Sequence, residues 1–146
     1  MELKTKYHKK DILIVGFGKT GKSILKFFKN QKVNIFIYDD NLDIIKNKFK
    51  SINFFNEKEK KISDFFTIFV SPGISKNHKL IKKAVKKNIR ISSDIELFWE
   101  NQLTSDANQS ILGITGTNGK STIALMISVV LKTQPLGNFG NALLEN

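Results

Sequence analysis

Asp11-Ile-Leu-Ile-Val-Gly-Phe-Gly-Lys-Thr-Gly21 decides how this chain of 146 residues is read. Its first five residues form a short apolar run that stops at a glycine, the pattern of a strand buried on both faces of a parallel sheet. Behind it, Thr20 to Asn30 sets Ile24, Leu25, Phe27 and Phe28 on one helical face and lysines on the other. Strand, G-x-G-x-x-G turn and helix in that order have a mechanism. Gly16 makes the tight turn, Gly18 lets a phosphate approach the backbone, and Gly21 lets helix and strand pack closely, with the helix N-terminus facing the anion. Asp39 ends the next β-rich run 18 residues after Gly21, near the ~20-residue offset at which an acid meets a ribose hydroxyl. Together these residues predict a nucleotide or nucleotide-sugar site. Which nucleotide is left open, and an NAD(P)-binding oxidoreductase or regulatory domain is the alternative reading of this segment alone.

Moving outward, strand-like and helix-like segments alternate through the first hundred residues. Val33–Tyr38, Ile52–Phe55, Phe65–Val70 and Ile89–Ile91 read as strands. Leu42–Phe49, Leu80–Lys87 (with Leu80, Ile81, Ala84 and Val85 apolar) and Asp94–Glu100 read as helices. This alternation predicts an α/β fold, a Rossmann-like parallel sheet covered on both faces. Ser71-Pro72-Gly73 closes the Phe65–Val70 strand. Ligands of open α/β sheets sit at the carboxyl ends of strands, so this turn is expected near Gly16 and Asp39. The polar stretch Asn101–Ser110 reads as a linker, after which come a new strand, Ile111–Thr115, and a helix from about Gly119 to Lys132. Two units are expected, 1–105 and 106–146, the second the start of a P-loop α/β ATPase domain.

Composition excludes several classes. Hydrophobic residues make up 40% and charged residues 25%, which is ordinary for a globular chain. There is no cysteine, hence no disulfide framework, thiolate metal site or cysteine nucleophile. No apolar run approaches the ~20 residues that span a bilayer, and no apolar segment of a secretory signal follows the basic start. The expectation is a cytoplasmic protein with no membrane partner. The net charge of +11 raises the question of nucleic acid. Yet 23 of the 24 basic residues are lysine and only Arg90 is arginine, whereas base and phosphate recognition leans on the planar guanidinium fork. Lys, Ile, Asn and Phe together supply 68 of the 146 residues, the drift of an A+T-rich genome. No nucleic-acid partner is expected, and the reading is of a monomer.

The second phosphate-site candidate is Gly113-Ile-Thr-Gly-Thr-Asn-Gly-Lys-Ser-Thr122. Backbone amides of such a turn cradle phosphates, Lys120 reaches the β/γ-phosphates, and the Ser121 hydroxyl joins Mg²⁺. The general G-x-x-x-x-G-K-[ST] spacing would put its first glycine at Ile114; here the glycines are Gly113 and Gly116. T-G-T-N-G-K-[ST] after a short apolar strand resembles the ATP loop of the Mur ligase family. Folylpolyglutamate synthases share a loop of this kind, but generally carry a glycine where Ser121 stands and lack such an N-terminal domain. Gly16–Gly21, Ser71–Ile74, Asp94–Phe98 and Gly137–Gly140 resemble, in order, the D-glutamate-adding members of that family.

The resemblance implies an ATP-dependent amide ligase of peptidoglycan precursor synthesis. Its substrates would be UDP-N-acetylmuramoyl-L-alanine and D-glutamate, its cofactors ATP and Mg²⁺. The family reaction phosphorylates the alanyl carboxylate, and the amine of D-glutamate then attacks the acyl phosphate. By motif match, Gly16, Gly18, Lys19, Thr20, Gly21, Asp39, Ser71, Pro72, Gly73 and Asn138 would meet the UDP-muramoyl substrate. Gly116, Thr117, Asn118, Gly119, Lys120, Ser121 and Thr122 would bind ATP, with Lys120 catalytic and Ser121 on the metal. Lys19 stands where relatives often have an apolar residue. Asp40 and Asn41 stand where they often have Thr and Arg, a departure on the uracil side. The family's further Mg²⁺ ligands, modified lysine and D-glutamate site match nothing up to Asn146, so this chain is expected to be inactive alone. His8 and His78 match no catalytic position and are expected in solvated loops.

Overall fold

A computed structural model describes residues 3–41, 52–104, 110–137 and 143–145. A single turn of helix, α1 (Leu3–Lys6), leads into β1 (Asp11–Val15), α2 (Lys19–Phe28), β2 (Asn34–Tyr38) and β3 (Asn53–Phe54). β4 (Thr67–Val70), α3 (Lys79–Lys86), β5 (Arg90–Ser92), α4 (Asp94–Thr104) and α5 (Lys120–Leu131) follow. The five strands form one sheet in the order β3-β2-β1-β4-β5, and every pairing is parallel. The expected Rossmann-like α/β fold is therefore present. The helix expected over Leu42–Phe49 lies outside the described residues.

Period-two alternation divides the core between the two faces of the sheet. Ile12, Ile14, Ile37 and Phe69 pack with Ile24 and Phe28 of α2 and Leu97 of α4. On the opposite face Leu13, Val15 and Ile68 pack with Leu80 and Ala84 of α3. Val85, expected on the apolar face of α3, is instead exposed. Tyr7 was legible only as part of a polar, basic start. It is fully buried, its ring edge-on to Phe28 with centroids 5.1 Å apart.

The linker expected over Asn101–Ser110 begins later than its composition implied, because α4 continues to Thr104. The Thr104 hydroxyl donates to the carbonyls of Glu100 and Asn101, each at 3.1 Å. Ser93 and Glu96 start this helix as a reciprocal cap, Glu96 N–H donating to Ser93 Oγ and Ser93 N–H to Glu96 Oε2. The expected strand Ile111–Thr115 is not formed. A strand needs a ladder partner, and the sheet ends at β3 and β5; Ile111 and Leu112 are exposed. The helix after it is present but is left largely uncovered, so Ile123, Met126, Val129 and Val130 also face solvent.

Candidate functional site

Strand register builds the first site. Val15 stands beside Tyr38 on one side and Val70 on the other, so the chain leaves β1, β2 and β4 at the same level. Gly16, Asp39 and Ser71 consequently meet at one rim. Chain order reverses between β1 and β4, which makes this rim the switch point where α/β sheets open a crevice. A cleft of about 450 Å³ lies there. The β1–α2 turn lines it with Gly16, Gly18, Lys19 and Thr20, the end of β2 with Asp39, Asp40 and Asn41, and the turn after β4 with Ser71, Pro72, Gly73 and Ile74.

Hydrogen bonds tie the three turns together. Gly16 N–H donates to the Tyr38 carbonyl (2.8 Å) and Ser71 N–H to that of Val15 (3.0 Å), while the Ser71 hydroxyl donates to the Gly16 carbonyl (2.8 Å). Gly16 has φ +90, and a Cβ there would lie 2.9 Å from Ser71 Cβ; only glycine serves at this position. The Asp39 carboxylate accepts Phe17 N–H at 2.7 Å and Asn41 N–H at 2.9 Å, so it clamps the glycine turn to the end of β2 as well as facing the cleft. Gly18 caps α2 with no side-chain bond, leaving first-turn N–H groups at the cleft wall without helical partners. Space at Gly18 is open, with nothing within 4 Å of where a Cβ would stand. Gly21 does not line the cleft. A Cβ on it would sit 2.2 Å from the Gly16 carbonyl oxygen, so its part is the close helix–strand approach.

His78 corrects the expectation of a solvated loop residue. It caps α3, Nδ1 accepting Leu80 N–H at 3.3 Å, and its side chain is only 14% exposed. Its ring lies 5.5 Å from that of Tyr38. The sequence signal was available in the short Ser-Lys-Asn-His segment before an amphipathic helix, a place where a cap is wanted. His8 is exposed, as expected.

The second loop, Gly116–Thr122, lines no part of this cleft. Gly119 opens α5 at φ +75. Lys120 Nζ folds back to donate to the carbonyls of Gly116 and Thr117, so the amine already sits over its own loop. An ammonium so placed and a helix N-terminus fit a nucleotide triphosphate. Ser121, expected on the metal, stands exposed in the first turn of α5; no group of three His, Asp or Glu residues that could hold an ion occurs among the described residues. Asn138 lies outside the described residues.

A family model described as the N-terminal domain of MurD-like Mur ligases matches residues 10–93. The chain belongs to the MurD-like Mur ligases. Among curated relatives, the UDP-N-acetylmuramoylalanine--D-glutamate ligase of Wolbachia pipientis wMel is 36% identical over 132 residues, 88% of this chain and 25% of that protein. Those of Rickettsia bellii and of Buchnera aphidicola subsp. Schizaphis graminum are 37% and 38% identical, over 97% and 95% of this chain and 32% of each relative. The MurD-like chain thus spans about a quarter to a third of the length of the curated relatives it matches. Among the described residues no helix is long and apolar enough to cross a membrane.

Proposed function

We propose that this MurD-like chain is the UDP-sugar-binding domain, over 1–105, and the ATP loop, over 106–146, of a ligase adding D-glutamate to UDP-N-acetylmuramoyl-L-alanine in the cytoplasm. The observation that carries the reading is a cleft at the switch point of a sheet whose residues 10–93 match the family's N-terminal domain. In this reading the first-turn amides of α2, approached over Gly18, hold the diphosphate. Asp39 and Ser71 frame the turn, and Pro72 and Gly73 close the wall opposite. Lys120 would meet the charge moving between phosphates, with Ser121 beside the Mg²⁺, where ATP supplies the phosphoryl group that activates the alanyl carboxylate.

The test is calorimetry of the 146-residue chain with UDP-N-acetylmuramoyl-L-alanine and, separately, NAD⁺. The chain is expected to bind the UDP-sugar and not the dinucleotide. Because nothing stands within 4 Å of the position a Gly18 Cβ would take, Gly18→Val is tolerated by the fold. It fills the phosphate approach, so affinity should fall at least about tenfold, the ~1.4 kcal/mol that a lost phosphate contact readily exceeds. Preference for NAD⁺, or unchanged affinity in Gly18→Val with a native circular dichroism spectrum, overturns the reading.

A further inference from the structure

We propose that the turn Leu143–Glu145 is a strap: it docks Leu144 in the groove between α2 and α4 and so holds the segment carrying the second phosphate loop against the sheet domain. This goes beyond the reading above and holds whichever nucleotide each loop takes.

The groove lies on the face of the sheet that α2 and α4 cover. Ile24 and Phe28 of α2 and Leu97 of α4 are fully buried there, with Leu25 and Phe27 partly buried on the same cluster. Leu143–Glu145 lies against both helices, and Leu144 packs on that cluster. Leu143 and Leu144 are both half-buried. Ile123, Met126, Val129 and Val130 of the preceding helix, by contrast, face solvent. It is therefore the turn after α5, and not α5 itself, that returns to the sheet domain.

The path of the chain gives this contact its consequence. The segment that carries Gly116–Thr122 leaves the sheet domain where α4 ends, at Thr104, and comes back to α4 and α2 at Leu143–Glu145. Both ends of residues 105–142 are thus attached to α4, the first covalently and the second by packing. The second attachment also bears on α2, whose first turn walls the cleft with Lys19 and Thr20. Closing a loop costs conformational entropy that grows only slowly with its length, and an apolar side chain withdrawn from water offsets that cost. An attachment made by so small an apolar surface is reversible. A charge placed at Leu144, which would have to be taken out of water in the groove, should undo it.

The chain contains no cysteine, so Lys82→Cys on α3 and Val129→Cys on α5, both at exposed positions, carry two spin labels and no others. Pulsed electron-spin distance measurement on the 146-residue chain is expected to give one narrow distribution. Adding Leu144→Asp should abolish that peak and spread the distances, whereas Leu144→Met, which conserves volume and apolarity, should keep it. Because Leu144→Asp also takes an apolar contact from the core, circular dichroism is recorded alongside. The unsubstituted Leu144 chain is followed too in urea below its unfolding transition, where the strap should release before the helix signal falls. A distribution that Leu144→Asp leaves unchanged, one already broad with Leu144 in place, or release in urea only together with the sheet domain overturns the proposal.

Discussion

Gly18 and Gly21, three residues apart in one motif, answer to opposite constraints. At Gly18 a side chain meets empty cleft; at Gly21 it meets the Gly16 carbonyl oxygen at 2.2 Å. That oxygen cannot retreat cheaply, because it accepts the Ser71 hydroxyl and its turn is held by Asp39. Gly21→Ala is therefore expected to destabilise the domain by about 1–3 kcal/mol, the usual cost of overpacking, read as a lower midpoint in urea. Gly21→Ala as stable as the native chain would show that helix and strand have room to part. Both glycines were legible as a spaced motif, and so was the division of labour between them. What the motif did not show is that Asp39 spends one oxygen on Phe17 N–H and the other on Asn41 N–H. That depends on β1 and β2 ending at the same level, which is a property of register.

Among the elements, Glu100 ties α4 to the start of the chain and to β5. It accepts from Lys6 Nζ at 2.9 Å, from the Tyr7 hydroxyl at 3.3 Å and from Arg90 at the start of β5. Burial, reinforced by the Glu100 charge, pushes the Tyr7 hydroxyl up to about 12, so it stays a neutral donor. Burial alone would raise the Glu100 carboxyl, but Lys6 and Arg90 outweigh it and hold the group below the usual carboxylate range. A depressed folded-state pKa gives stability that is present above the unfolded value, about 4.3, and is lost as pH falls through the folded one. Glu100→Gln should thus cost on the order of 1 kcal/mol at about pH 7, and the gap between variant and native chain should be narrower at a pH below the unfolded value of about 4.3. Urea titrations at the two pH values check this; an equal gap at both would mean the charge of Glu100 is not what matters. Neither Lys6 nor Glu100 carries any sign of this role in the sequence, because 94 positions separate them.

For the whole molecule, burial is divided sharply along the chain. β1 contributes Ile12 to Val15 at 0% exposure, while Val129 and Val130 on α5 are 77% and 78% exposed. Side chains left in water contribute nothing to the sheet's stability. The double variant Val129→Lys, Val130→Lys should therefore melt with the native chain, within the roughly 0.5 kcal/mol typical of surface changes, while binding less of a hydrophobic dye. A marked loss of stability would show that α5 packs on the sheet after all. A short segment does return from beyond α5: the 3-10 turn Leu143–Glu145 lies against α2 and α4, with Leu144 packed on the α2 face of the core.

Sequence by itself determined the local and periodic features. Apolar runs bounded by glycine or by a Ser-Pro-Gly turn marked β1 and β4, and lysine-backed apolar stripes marked α2 and α3. Two glycine-rich turns marked where phosphate chemistry belongs. Each of these follows from residues within one turn, strand or helix. Tertiary structure alone decided what depends on partners. Tyr7 became core because α2 and the sheet present Phe28 and Phe69 to it. His78 became the neighbour of Asp40 because α3 starts beside the end of β2. Ile111–Thr115 stayed out of any sheet because β-structure, unlike a helix, closes its hydrogen bonds on another segment, and no strand of this sheet takes it as a partner.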